Sequence, residues 1–70
     1  MDAITQRAKI LAYCEKHGSI TNLEATLHLL IGSPTKRISE IRNSDKYTVT
    51  SVVERNDVTR WNRYYIKAKS

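Results

Sequence analysis

Side chains able to act as nucleophiles, proton-transfer groups or metal ligands are few in this chain and stand apart. Cys14 is the single cysteine, and the histidines are His17 and His28. An internal disulfide is therefore impossible, and no zinc-ligand spacing is formed. The carboxylates Asp2, Glu15, Glu24, Glu40, Asp45, Glu54 and Asp57 are dispersed. No nucleophile and base pair or phosphate-binding loop accompanies them, so the expectation is no enzymatic activity, no cofactor and no metal. What remains is hydrogen-bonding and basic chemistry in two stretches. Ser33, Thr35, Lys36, Arg37, Ser39, Glu40, Arg42 and Asn43 form one, and Arg55, Arg60 and Arg63 the other. Guanidinium, ammonium, hydroxyl and amide groups in such runs suit contact with phosphates and base edges.

The charge distribution agrees with that chemistry. The formal net charge is +5 over 70 residues. Up to residue 35, Arg7, Lys9 and Lys16 are balanced by Asp2, Glu15 and Glu24, so the whole basic excess lies beyond that point. A concentrated basic face is the electrostatic footprint of a nucleic-acid binder. A single domain of this length has a core worth only about 3–5 kcal/mol net, which leaves little chain for a catalytic cleft. The apolar fraction of 40% and charged fraction of 27% are those of an ordinary folded domain. No apolar run approaches the roughly 20 residues of a membrane span, and Met1-Asp2-Ala3 lacks the start of a secretory signal. The expected location is cytoplasmic, with no membrane partner.

These side chains must be positioned by the elements around them. Residues 5–17 carry Ala8, Leu11 and Cys14 at three-residue intervals, with Ile4 and Ile10 beside them. This spacing predicts a helix with one buried face, ended by Gly18 and favoured at its C-terminus by Lys16 and His17. Thr21 and Glu24 have the spacing of a capping box, with Ile20 as its staple. They open a second helix over about 22–29, expected to bury Leu23, Leu27 or Leu30 and to turn Ala25 to a neighbour. After a tight connection, Ser33 reads as a cap and Pro34 as the first residue of a third helix, about 34–43. Pro34, Ile38 and Ile41 share its inner face. Lys36, Ser39, Glu40 and Asn43 lie opposite, with Thr35, Arg37 and Arg42 on the flanks. The composition then turns β-branched and aromatic, predicting strands over about 47–54 and 59–67 joined near Asn56-Asp57. The expected architecture of residues 1–70 is a single α+β domain, three helices followed by a two-stranded antiparallel hairpin. Two short helices joined by a turn, the second polar-faced, form a helix-turn-helix, and the hairpin is its wing.

The chain resembles the small winged helix-turn-helix domains common in bacteriophages and prophages. The residues that carry the likeness are His17-Gly18-Ser19-Ile20-Thr21, Glu24-Ala25 and Arg37-Ile38-Ser39-Glu40-Ile41-Arg42, with Arg63-Tyr64-Tyr65-Ile66 as the closing strand. The pattern spans roughly residues 5–66. The chain departs from it at Leu30, where a small turn residue is usual, and at Gly32-Ser33-Pro34, which replace a more helical start. The resemblance implies binding of double-stranded DNA, often in transcription regulation, in the cytoplasm of a bacterial host. It also implies that Tyr64 and Ile66 point inward. Carried over, the family role makes Thr35, Lys36, Ser39, Glu40 and Asn43 candidates for base edges. Ser33, Arg37 and Arg42 then lie nearer the phosphates, and Arg55, Arg60 and Arg63 are wing contacts.

Each of these features has a plainer alternative. Cys14 on an apolar stripe is a core residue unless its setting is positive and exposed. Lys36, Arg37 and Arg42 could be a solvated face paired with Glu40 and Asp45. A carboxylate at Glu40 repels phosphate unless it accepts from a cytosine or orients Lys36 or Arg37. On the last strand, Trp61 and Tyr65 fall on one face and Tyr64 and Ile66 on the other, so one pair is core. The other covers the helices' edge, or is a surface for a dimer, a protein partner or stacked single-stranded bases. A single module contacts few base pairs, so a homodimer or cooperative array is expected on DNA. The competing reading is a protein-interaction module.

Overall fold

The computed structural model describes residues 3–69. Its elements are α1 (Ala3–His17), β1 (Ile20–Thr21), α2 (Asn22–Leu29), α3 (Pro34–Asn43), β2 (Tyr47–Arg55) and β3 (Arg60–Ala68). Local chemistry explains the breaks between them. Gly18 takes φ 88°, and its N–H donates to the Cys14 carbonyl at 2.7 Å, which closes α1. At the start of α2 the capping box is complete. The Glu24 N–H donates to Thr21 Oγ1 at 3.1 Å, and the Thr21 N–H donates to Glu24 Oε1 at 2.9 Å. Pro34 opens α3 as expected, but the Ser33 hydroxyl makes no capping bond.

The sheet has three strands in the order β1-β3-β2, not the two expected. The added strand is the pair Ile20–Thr21, with Ile20 opposite Tyr64 and Thr21 opposite Arg63. A two-residue strand has no periodicity to detect in a sequence, and its Thr21 doubles as the helix cap. The hairpin runs in register from Tyr47 opposite Ala68 to Arg55 opposite Arg60. Its tip is held by Asn56 Oδ1, which accepts from the Val58 N–H at 2.9 Å and the Thr59 N–H at 2.8 Å.

The three helices contact one another and cover one face of the sheet. Between these layers lie Ile10 and Cys14 of α1, Ile20 of β1, Ala25 of α2, Ile31 of the following turn, Ile38 and Ile41 of α3, and Tyr64 and Ile66 of β3. Two expectations about this core are corrected. In α1 the inner face is Ile10 and Cys14, while Ala8 and Ile4 are exposed. In α2 the small Ala25 is fully buried, whereas Leu23 and Leu27, and Leu30 just after the helix, are 66%, 62% and 78% exposed. The roll of α2 about its axis is set by Thr21. That residue is simultaneously paired to Arg63 and bonded to Glu24, so Ala25 and Leu29 turn inward whatever the leucine pattern favours.

The turn after α2 carries the consequence. Leu30 adopts φ 58° and ψ 38°, the left-handed region, and the Ile31 N–H reaches back to the Ala25 carbonyl at 3.2 Å. The Leu30 N–H bonds the same Ala25 carbonyl, so both amides close the helix around a left-handed residue, a place where glycine is usual. The strain swings Ile31 to full burial and leaves Leu30 outside. A branched side chain there costs about 1–2 kcal/mol, against the 0.5–1 kcal/mol that glycine loses by entropy. Leu30→Gly is therefore expected to raise stability by about 0.5–1 kcal/mol and Tm by about 2–8 °C in thermal unfolding. A lower Tm would show that the leucine side chain stabilises the turn.

Candidate nucleic-acid interface

An α-helix rotates by about 100° per residue, so α3 divides cleanly. Pro34, Arg37, Ile38 and Ile41 fall on the packed side, while Thr35, Lys36, Ser39, Arg42 and Asn43 are exposed within an arc of roughly 120°. Ser33 is exposed at the start of the helix. Thr35 Oγ1 accepts from Asn22 Nδ2 at 3.1 Å, which ties the first turn of α3 to the first turn of α2.

Glu40 and Arg37 form the ion pair that the sequence left open as the plainer alternative, joined by a third residue from α1. Glu40 Oε1 accepts from Arg7 Nη1 of α1 at 2.6 Å and from Arg37 Nη1 at 3.1 Å. The Arg37 side chain is only 12% exposed, and its Nε is buried without a hydrogen-bond partner among the described residues. These three residues form a strut between α1 and α3. The strut neutralises the carboxylate that made a groove-facing Glu40 awkward, and it withholds Arg37 from the surface. Lys36 and Arg42 make no ion pair among the described residues, so their charge is free.

The hairpin divides in the same way. Arg55 and Arg60 stand directly opposite each other at its tip, both exposed and in no ion pair among the described residues. Like charges on facing positions repel, and an anion between them relieves that repulsion. Arg63, by contrast, is held inside the domain. Its Nε donates to Glu54 Oε1 at 2.8 Å, and its Nη1 donates to Ser19 Oγ at 3.1 Å and Glu24 Oε1 at 3.3 Å. The network locks the hairpin to the start of α2, so Arg63 aims the wing. Trp61 Nε1 donates to the same Glu54 oxygen at 2.9 Å. Tyr64 and Ile66 are the buried pair of β3, and Trp61 and Tyr65 the exposed one. The supporting residues Arg7, Asn22, Glu24 and Glu54 carry no local motif for these contacts, because their partners are distant in sequence or across a strand pair.

The Arg63 and Trp61 donors hold the Glu54 carboxyl below the usual carboxylate range. The folded state thus binds this proton less readily than the unfolded chain. Glu54 contributes stability above its unfolded value and loses that contribution as pH falls through the depressed folded value. Acid titration followed by Trp61 fluorescence is expected to show a transition below the ordinary carboxylate range. Arg63→Leu is expected to move it upward, and an unmoved transition would separate Glu54 from the signal. Burial, with Glu24 nearby, pushes the Cys14 thiol up to about 11, consistent with an inert core position.

Among the described residues no group of histidine, cysteine and carboxylate side chains could hold a metal ion, and no helix is long and apolar enough to cross a membrane. No curated protein and no solved structure matches the chain. A family model described as a winged helix-turn-helix domain matches residues 5–66, nearly the whole chain. With its three helices, short turn and hairpin, the chain belongs to the winged helix-turn-helix domain family, whose general role is DNA binding.

Proposed function

We propose that α3 enters the major groove of duplex DNA and that the hairpin lies along the adjacent backbone or minor groove. The observation that carries this reading is the exposed arc of α3. The carboxylate of α3, Glu40, is drawn off by Arg7 and Arg37, leaving Lys36 and Arg42 in no ion pair among the described residues, beside Thr35, Ser39 and Asn43. An α-helix fits the major groove, where amide and ammonium groups can distinguish base edges. Lys36 and Asn43 are the main readers, with Thr35 and Ser39 between them. Ser33 and Arg42 at the two ends of α3 meet phosphates, as do Arg55 and Arg60 at the wing. Arg37, Glu40 and Arg63 position these groups without touching DNA.

Labelled duplex titrated with protein at several salt concentrations tests this. The logarithm of affinity is expected to fall linearly with the logarithm of salt, with a slope near −0.9 for each phosphate neutralised. No salt-dependent association at low ionic strength overturns the proposal. The role on DNA is that of a phage-type transcriptional regulator or of an architectural factor in recombination. Gel mobility with permuted sites separates them, since only the second gives strongly bent complexes.

Protein docking is the second reading, and the exposed Leu23 and Leu27 of α2, with Leu30 just beyond its end, favour it. Capture of a defined cellular partner that is lost in Leu23→Ser/Leu27→Ser, with no duplex binding by the parent chain, would establish it in place of the first.

A further inference from the structure

β2 ends the strand order and has β3 on one side only. Exposed edges are normally blunted by lysine, proline or a bulge. Here the run Tyr47 to Val53 contains no charged residue, glycine or proline, although 12 of the 70 residues are lysine or arginine. The direction of its free backbone groups follows from the two ends of the hairpin. The Asn56 N–H donates to the Thr59 carbonyl and the Lys69 N–H to the Lys46 carbonyl, both at 2.9 Å, with unbroken register between them. Bonded pairs alternate along an antiparallel ladder. Even-numbered residues of β2 therefore turn their N–H and C=O groups to β3, and Val49, Ser51 and Val53 turn theirs to the open edge.

We propose that two copies of this chain pair along that edge, β2 against β2 and antiparallel, about a two-fold axis at Thr50. The two sheets then become one continuous sheet with the helices of both copies on the same face. A two-fold axis normal to a sheet must pass through a residue position, because facing side chains share a face. Thr50 on the axis sets Lys46, whose carbonyl still accepts from Lys69 across the hairpin, opposite Glu54 of the other copy, giving opposite charges at both ends. An axis at Ser51 instead leaves Lys46 opposite the uncharged Asn56. An axis at Val49 pairs no opposite charges. Glu54 uses one oxygen, Oε1, for Trp61 and Arg63, so the second is available to a lysine. The same register places Tyr47 of one copy beside Val53 of the other. Val53 lies on the helix side of the sheet yet is 64% exposed, beyond the reach of its own helices. For DNA, the proposal rests on the duplex-binding reading and supplies the second reading head that a single small module lacks.

Sedimentation of the full chain without DNA, over a wide concentration range, is expected to show a reversible dimer. Thr50→Lys sets two ammonium groups face to face on the axis and is expected to weaken association by about tenfold or more. Ser51→Pro removes only an outward N–H, so the β2 and β3 ladder survives while the dimer weakens. In Thr50→Cys, the axial pair has Cα atoms about 4.5 Å apart, within disulfide range. Diamide oxidation is expected to link the two copies. Thr48→Cys, facing Val52 of the other copy, is not expected to crosslink, and buried Cys14 does not compete. A chain that stays monomeric and gives no Thr50→Cys crosslink overturns the proposal. So does a dimer that withstands both Thr50→Lys and Ser51→Pro, which would place the interface elsewhere. Duplex binding by monomeric Ser51→Pro, with an unchanged salt slope per chain, tests the DNA reading separately. Its loss in both the parent chain and the variant would sink that reading while leaving the dimer intact.

Discussion

Lys36→Glu combined with Arg42→Glu is expected to lower affinity for duplex DNA by about 100-fold or more near 0.15 M salt, with the fold unchanged. Both side chains are exposed and unpaired among the described residues, so no internal contact is lost. Neutralising a phosphate gives a salt slope near −0.9, so losing two contacts is worth about 30-fold between 0.15 and 1 M salt. Reversing the charge adds repulsion from the phosphates. Lys9→Glu combined with Lys16→Glu makes the same change in net charge on α1, beside Tyr13 and His28 and away from α3. If the effect is local, this control weakens binding several-fold at most. Equal losses in the two double variants would mean that only total charge matters, against a specific α3 contact. Fluorescence anisotropy across salt concentrations measures both.

Glu40→Ala is expected to be the most damaging single change outside the apolar core, costing about 2–3 kcal/mol. The carboxylate accepts from two guanidiniums at once, and one of them, Arg37, is nearly buried with its Nε already unpaired. Removing the acceptor leaves that cation desolvated and faces it with Arg7. Partial exposure of Arg7 and Glu40, 32% each, keeps the cost below that of a fully buried pair. The loss is still a large share of the about 3–5 kcal/mol available to a domain this small. Urea unfolding is expected to show a lower midpoint with an unchanged slope. Arg7→Ala with Glu40→Ala is expected to cost less than the sum of the two single changes. A solvated Glu40 with no structural role would change stability by less than about 0.5 kcal/mol.

Much of the helical framework was legible because its signals are local. The Gly18 stop, the Thr21 and Glu24 box and the Pro34 start each depend on groups within one helical turn, and all appear in the structure. The α2 leucines misled for a related reason. Periodicity identifies an apolar stripe but not the roll of a short helix, which here is set by a cap built into a strand. Leu30 was marked only as a departure from the family pattern, and its left-handed backbone explains why Ile31 is the buried turn residue instead.

The DNA-facing candidates separate in the same way. Lys36, Ser39, Asn43 and the hairpin arginines Arg55 and Arg60 could be placed from helical phase and strand position alone, since exposure follows from where a residue stands on its own element. Arg37, Glu40 and Arg63 could not. Their positions depend on Arg7, Ser19 and Glu24, which lie 33, 44 and 39 residues from the groups they bond. By itself the sequence determined the helices, the hairpin and the concentration of positive charge in the second half. Only the tertiary structure decided which of those charges are free. A guanidinium's partner is whichever carboxylate folding brings within about 3 Å, and chain separation says nothing about that distance.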